Sequence, residues 1–91
     1  MGAPKHILVV ATSDPLEAMR VAAGLTIFGH QVSFLFSRVI EVSKEVEQAV
    51  ELMELAEIDQ IFALEEFEDC VVLRGLDVAH LWKSADLAMV V

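Results

Sequence analysis

His6-Ile-Leu-Val-Val-Ala-Thr-Ser-Asp-Pro15 turns within ten residues from a buried strand into a helix. Ile7, Leu8, Val9 and Val10 form a short continuous apolar run, which predicts a strand over His6–Ala11 that is covered on both faces. Thr12, Ser13, Asp14 and Pro15 stop it. Asp14 can cap the next helix, Pro15 suits a first position that needs no amide hydrogen, and Glu17 stands three residues after the cap. The helix is predicted to run to about Phe28, with Gly29 as its terminator.

Working outward, Met19, Ala23 and Ile27 make one apolar stripe on this helix and Ala18, Ala22 and Leu25 a second beside it. Small residues on that face let a helix approach a sheet closely. Gln31–Phe36 reads as the next strand, with Ser33 its one polar interruption. Ser43 can cap a second helix through about Ile58, with Val46, Ala49, Val50, Met53 and Ala56 inward and Glu47, Glu51 and Glu54 outward. Beyond it, residues 59–64 supply a third strand, Glu66 to Leu73 a short helix, Gly75 a break, Asp77 to Lys83 another helical turn or two, and Leu87 to Val91 a last strand. Apolar strands alternating with helices, and no two-residue hairpin turn between them, predict an α/β fold. The expected architecture is a three-layer α/β/α sandwich, with a mainly parallel sheet of about four strands in one domain over residues 1–91.

Composition narrows the function. Fifteen acidic against six basic side chains give a formal charge of -9, which repels phosphate backbones and anionic membranes, so neither nucleic acid nor membrane is an expected partner. An apolar fraction of 56% exceeds the roughly 45–50% of ordinary soluble domains and predicts that apolar surface is buried in another subunit. One cysteine cannot form an internal disulfide, and Ile7–Ala11 is too short for a signal-peptide core or a membrane span. The expected location is the cytoplasm.

In a parallel α/β sheet the usual crevice lies at the C-terminal ends of the strands. That rule gathers Thr12, Ser13 and Asp14, then Ser37 and Arg38, then residues 65–70 on one rim. Thr12 and Ser13 read first as turn and capping residues and second as substrate contacts. Arg38 and Arg74 are candidates for holding an anion, although Arg38 pairs more readily with Glu41 or a carboxylate of the third loop. The chain contains no phosphate-cradling glycine loop, nucleotide fingerprint, paired-cysteine spacing or zincin arrangement, so no cofactor or metal is expected. His6 and His30 open strands at the opposite rim. Trp82 reads as a packing or interface anchor, and His80 can serve as a base for Cys70 only if their two segments meet.

Cys70 is the candidate nucleophile, set in Leu64-Glu-Glu-Phe-Glu-Asp-Cys-Val-Val-Leu-Arg-Gly-Leu76. If the segment is helical, Arg74 shares its face and favours a thiolate, whereas Glu66 and the adjacent residue 69, an aspartate, oppose it. The other reading is a small buried residue on a short helix.

The opening strand with Asp14-Pro15, the entry Phe28-Gly-His-Gln-Val-Ser-Phe-Leu-Phe36, the element Leu73-Arg-Gly-Leu76 and the closing Ala85-Asp-Leu-Ala-Met-Val-Val91 together resemble the DsrE/DsrF/DsrH family of small sulfur-relay domains. The resemblance implies a three-layer domain that assembles into homo- or hetero-oligomers, trimers or hexamers. In some members it also implies a cysteine after the third strand that carries sulfur as a persulfide between donor and acceptor proteins. Cys70 stands in the corresponding stretch, with Arg74 and Gly75 after it. Five residues separate it from Leu64, a spacing similar to the cysteine-poor branch of that family. The expected function is accordingly a persulfide carrier acting through Cys70, or a non-catalytic structural or regulatory oligomer subunit of the same fold.

Overall fold

A computed structural model of the protein describes residues 5–38, 41, 43–58, 60–66 and 70–91. The elements run β1 (His6–Ala11), α1 (Pro15–Ile27), β2 (Gln31–Phe36), α2 (Lys44–Leu55), β3 (Gln60–Ala63), β4 (Val71–Val72), α3 (Gly75–Ser84) and β5 (Leu87–Val90). Among the described residues, the strands form one five-stranded sheet in the order β4-β3-β2-β1-β5. Every pairing is parallel.

The first βα unit folds as its sequence dictates. The Asp14 carboxylate accepts from the Glu17 amide at 3.1 Å with Pro15 directly after the cap, satisfying one amide that the helix leaves without a partner. Asp14→Ala is therefore expected to cost about 1 kcal/mol, read as a lower urea midpoint with an unchanged slope. At the other end Gly29 takes φ +84°, a left-handed conformation that glycine adopts without steric cost. The Ser43 hydroxyl caps α2 by accepting from the Val46 amide at 3.2 Å.

α2 stops at Leu55, three residues before the expected end. Glu57 turns to φ 64°, its amide donates to the Glu54 carbonyl and the Ile58 amide to the Met53 carbonyl, each at 3.0 Å. This pair of bonds is a Schellman ending in which a glutamate occupies the position usually held by glycine.

Alternation along the strands builds two cores. Ile7, Val9, Ala11, Val32, Phe34, Phe36 and Ala63 face α1 and α2, meeting Ala18, Met19, Ala22, Val46, Ala49 and Met53. Leu8, Val10 and Leu35 face the other way, against Val78 and Leu81 of α3. Helices on both faces give the expected three layers, and β1 and β2 read as continuous apolar runs because neither of their faces meets water. The layers are unequal, since α3 buries none of its own residues fully.

Two expectations need correction. The helix expected over Glu66–Leu73 is not formed: Val71 and Val72 pair with Phe62 and Ala63 as β4, which brings the sheet to five strands rather than about four. Residues 67–69 of that stretch, and residue 59 at the expected start of the third strand, lie outside the described residues. Gly75 opens α3 rather than breaking a helix, and α3 is a full ten-residue helix rather than a turn or two.

Candidate functional site

The C-terminal ends of the strands gather the residues that topology assigns to a crevice. Thr12 and Ser13 follow β1, Ser37 and Arg38 follow β2, Leu64 to Glu66 follow β3, and Leu73 and Arg74 follow β4. Strand order reverses at β1, whose two neighbours are β2 and β5, so the switch point lies between β1 and β5. There the Thr12 hydroxyl donates to the Val91 carbonyl at 2.9 Å, and the Thr12 amide donates to the same oxygen at 2.7 Å. The Ser37 hydroxyl likewise donates to the Ala11 carbonyl. Both hydroxyls tie adjacent strand ends together, as turn residues do.

Ser13, Arg38 and Arg74 are exposed. Arg38 stands one strand from Thr12, but Arg74 follows the edge strand three strands from β1, roughly 14 Å away at ordinary strand spacing. The two arginines and the two hydroxyls share one rim without converging. Of the partners expected for Arg38, Glu41 forms no ion pair with it among the described residues, where Arg20–Glu17 at 3.6 Å is the one such contact, and part of the third loop, the other expected source of a carboxylate, lies outside those residues. At the start of α3 the Asp77 carboxylate accepts from the Arg74 amide at 3.4 Å, placing a negative group where an anion would have to bind.

Cys70 does not stand on this rim. Val71 pairs with Phe62, so the chain has returned along β3 and Cys70 lies level with Ile61, inside the span of the strand it was expected to follow. It is half-buried and packs against the core shared with α1 and α2. Because Val71 and Val72 are extended and Arg74 has φ -116° and ψ 173°, the four steps from Cys70 to Arg74 span about 13 Å of strand. Arg74 is therefore not on a shared helical face with the thiol. His80 is exposed on α3, across the sheet from the core that receives Cys70, so the candidate base and the candidate nucleophile are not brought together.

Opposite the crevice, the structure assembles a polar chain that the sequence reading did not foresee. His6 Nε2 lies 2.6 Å from Ser33 Oγ, and the Ser33 hydroxyl donates to Gln60 Oε1 at 2.5 Å. The Asp86 carboxylate accepts from the His6 amide at 2.8 Å, and the Asp86 amide donates to the His6 carbonyl, also at 2.8 Å. His6 Nδ1 lies 3.4 Å from the Ser84 carbonyl at the end of α3. This resembles a serine–histidine pair in composition only. The Ser33 proton is committed to Gln60, and Ser33 is fully buried, so no substrate reaches its oxygen. The chain instead crosses β1, β2 and β3 and satisfies Ser33, the one buried polar residue among the described residues. The available signal was spacing: both links connect residues 27 apart, the length of one βα repeat.

A cleft of about 210 Å³ lies at this same end, lined by Thr26, His30, Gln31, Ala56, Glu57 and others between the C-termini of α1 and α2. The ring of His30, one of the lining residues, accepts from the Lys5 amide at 3.2 Å. Among the described residues no group of three His, Cys, Asp or Glu side chains can hold a metal, and no helix is long and apolar enough to cross a membrane.

Fold and rim together define a parallel three-layer α/β/α domain. Compared with known proteins, the chain matches no family model, no curated protein and no solved structure.

Proposed function

We propose that this domain is a non-catalytic structural or regulatory subunit that works by associating with other chains, copies of itself or related subunits, in the cytoplasm. The observation that carries this reading is apolar side chains left exposed along both sheet edges and α3. Val71 and Val72 stand on β4, Leu76 and Trp82 on α3, Leu87 and Val90 on β5. Exposed apolar surface rimmed by polar residues is a mark of protein–protein contact. The acidic balance and the lone cysteine are compatible with a cytoplasmic partner and give no support to nucleic acid or membrane. The likeness to DsrE/DsrF/DsrH domains accommodates such a subunit.

A second reading retains sulfur chemistry, because Cys70 is half-buried beside the exposed β4 rather than sealed in the core. In that reading the Cys70 thiolate attacks the terminal sulfur of a donor persulfide, forming a new sulfur–sulfur bond and releasing the donor thiolate. An acceptor thiolate then takes the sulfur and releases Cys70. Arg38 and Arg74 would have to reach it from the rim.

Intact mass after incubation with a persulfide donor separates the two. The subunit reading expects the native protein to gain no sulfur while the unfolded chain and a Cys70 peptide are labelled, with native alkylation of Cys70 correspondingly slow. A native protein that gains one sulfur and passes it to an acceptor thiol replaces the subunit reading with the carrier.

A further inference from the structure

We infer that β5 is a self-pairing edge, through which two copies of this chain join their sheets antiparallel about a two-fold axis. The inference rests on the subunit reading and names its surface.

The sheet has two edges, and they differ in protection. Natural edge strands are guarded against pairing by shortness, charge, proline or bulges. β4 is two residues long and follows Glu65 and Glu66 closely in the chain. β5 is longer, at four residues, and Leu87-Ala-Met-Val-Val91 carries neither charge nor proline, its nearest charge being Asp86 before it. Leu87 is 50% and Val90 59% exposed. α1 packs over β1 and β2, and α3 over β1, so the helices leave the flank of β5 open. In a chain of formal charge -9 most of the surface repels a second copy, and an uncharged edge is where that repulsion is weakest.

The backbone directions fit a self-complementary register. The Val91 amide donates to the Val10 carbonyl and the Val91 carbonyl accepts from Thr12, so Val91 directs its backbone groups toward β1. Alternation then turns Met89 and Leu87 toward β1 as well, and Ala88 and Val90 outward. Antiparallel pairing of two β5 strands centred on Met89 sets Ala88 opposite Val90 of the second copy, where each outward amide meets an outward carbonyl and the two-fold repeats the exchange. The same register puts Leu87 opposite Val91 and Met89 opposite itself. Leu87, Met89 and Val91 belong to the face of α1 and α2, Ala88 and Val90 to the face of α3, so every opposed pair shares a face, as antiparallel pairing requires. A closed isologous contact of this kind stops at two copies per edge.

The test is the mass in solution of the full chain by sedimentation over a concentration series, with Val90→Lys, Val90→Pro and Val71→Lys beside it. Val90→Pro removes an outward amide and leaves the bonds to β1 in place. The expected result is twice the 10.0 kDa monomer mass for the parent and for Val71→Lys. Both Val90 variants should stay monomeric at concentrations where the parent is fully paired, with unchanged circular dichroism and an unchanged urea midpoint once that of the parent is extrapolated to the monomer. A parent that is monomeric throughout, or an assembly that survives both Val90 substitutions, overturns the β5 assignment. In the second case the subunit reading stands on another surface, whereas sulfur transfer by the native protein would remove that reading independently of its mass.

Discussion

Phe34→Ala is expected to cost about 3–5 kcal/mol of stability, a large part of the roughly 5–14 kcal/mol that 91 residues support. Phe34 is fully buried in the inner strand β2 and meets Phe36 edge-on, with centroids 4.9 Å apart and planes at 69°. Its register partners are Val9 and Ile61, so the ring fills the middle of the sheet under α1 and α2. Alanine there loses the transfer free energy of the ring and leaves a cavity whose walls are held by backbone pairing on both sides. Urea unfolding followed by far-UV circular dichroism measures the loss. A change below about 1 kcal/mol would mean that Met19 and Met53 collapse into the space, and that this core is less fixed than its packing indicates.

The second large effect is expected at Ser33. Ser33→Ala removes the hydroxyl between His6 and Gln60 and leaves both partners facing a methyl group inside the sheet. Losing two hydrogen bonds to half-buried partners, at a net of roughly 0.5–1.5 kcal/mol each, costs about 1–3 kcal/mol. The double-mutant cycle with Gln60→Ala distinguishes a hydrogen-bonded chain from simple packing. A coupling of about 0.5 kcal/mol or more is the expected result, and strict additivity would show that Ser33 and Gln60 act independently. No activity should change with either variant beyond what lost stability explains, because Ser33 is inaccessible.

How much of this was legible depends on whether a feature is local. Ile7–Ala11, Asp14, Pro15 and Gly29 carry their own instructions in adjacent residues, and β1, α1 and β2 lie where those residues put them. β4 was not legible, because Val71 and Val72 are too few to show a period of two. With Cys70 and Leu73 beside them they fit an apolar helix turn equally well. Their strand character comes from Phe62 and Ala63, a tertiary partner that spacing does not announce. The placement of Cys70 failed for the same reason: its height along the sheet is set by how far the chain returns after β3. Thr12, Ser13 and Arg38 were legible as members of one rim, since sheet direction alone places them there, whereas Arg74, read onto a helical face with Cys70, joins the rim only because β4 forms. That Arg74 lies at the far edge follows from strand order. Ser33 was visible as an interruption in an apolar strand, but its partners were not, because His6 and Gln60 stand on neighbouring strands.

The position of β1 has a consequence for how the molecule is made. Its pairing with β5 joins residues 80 apart, as in the bond from the His6 amide to Asp86. A ribosome adding about 5–20 residues per second takes roughly 4–16 s to cover that distance. Throughout that interval Ile7 to Val10 are already synthesised; β2 becomes available on one side once Phe36 has been added, and the other side stays bare. The strand that is translated first is therefore the last to be enclosed, and the nascent chain exposes its most apolar segment until translation has passed Val90.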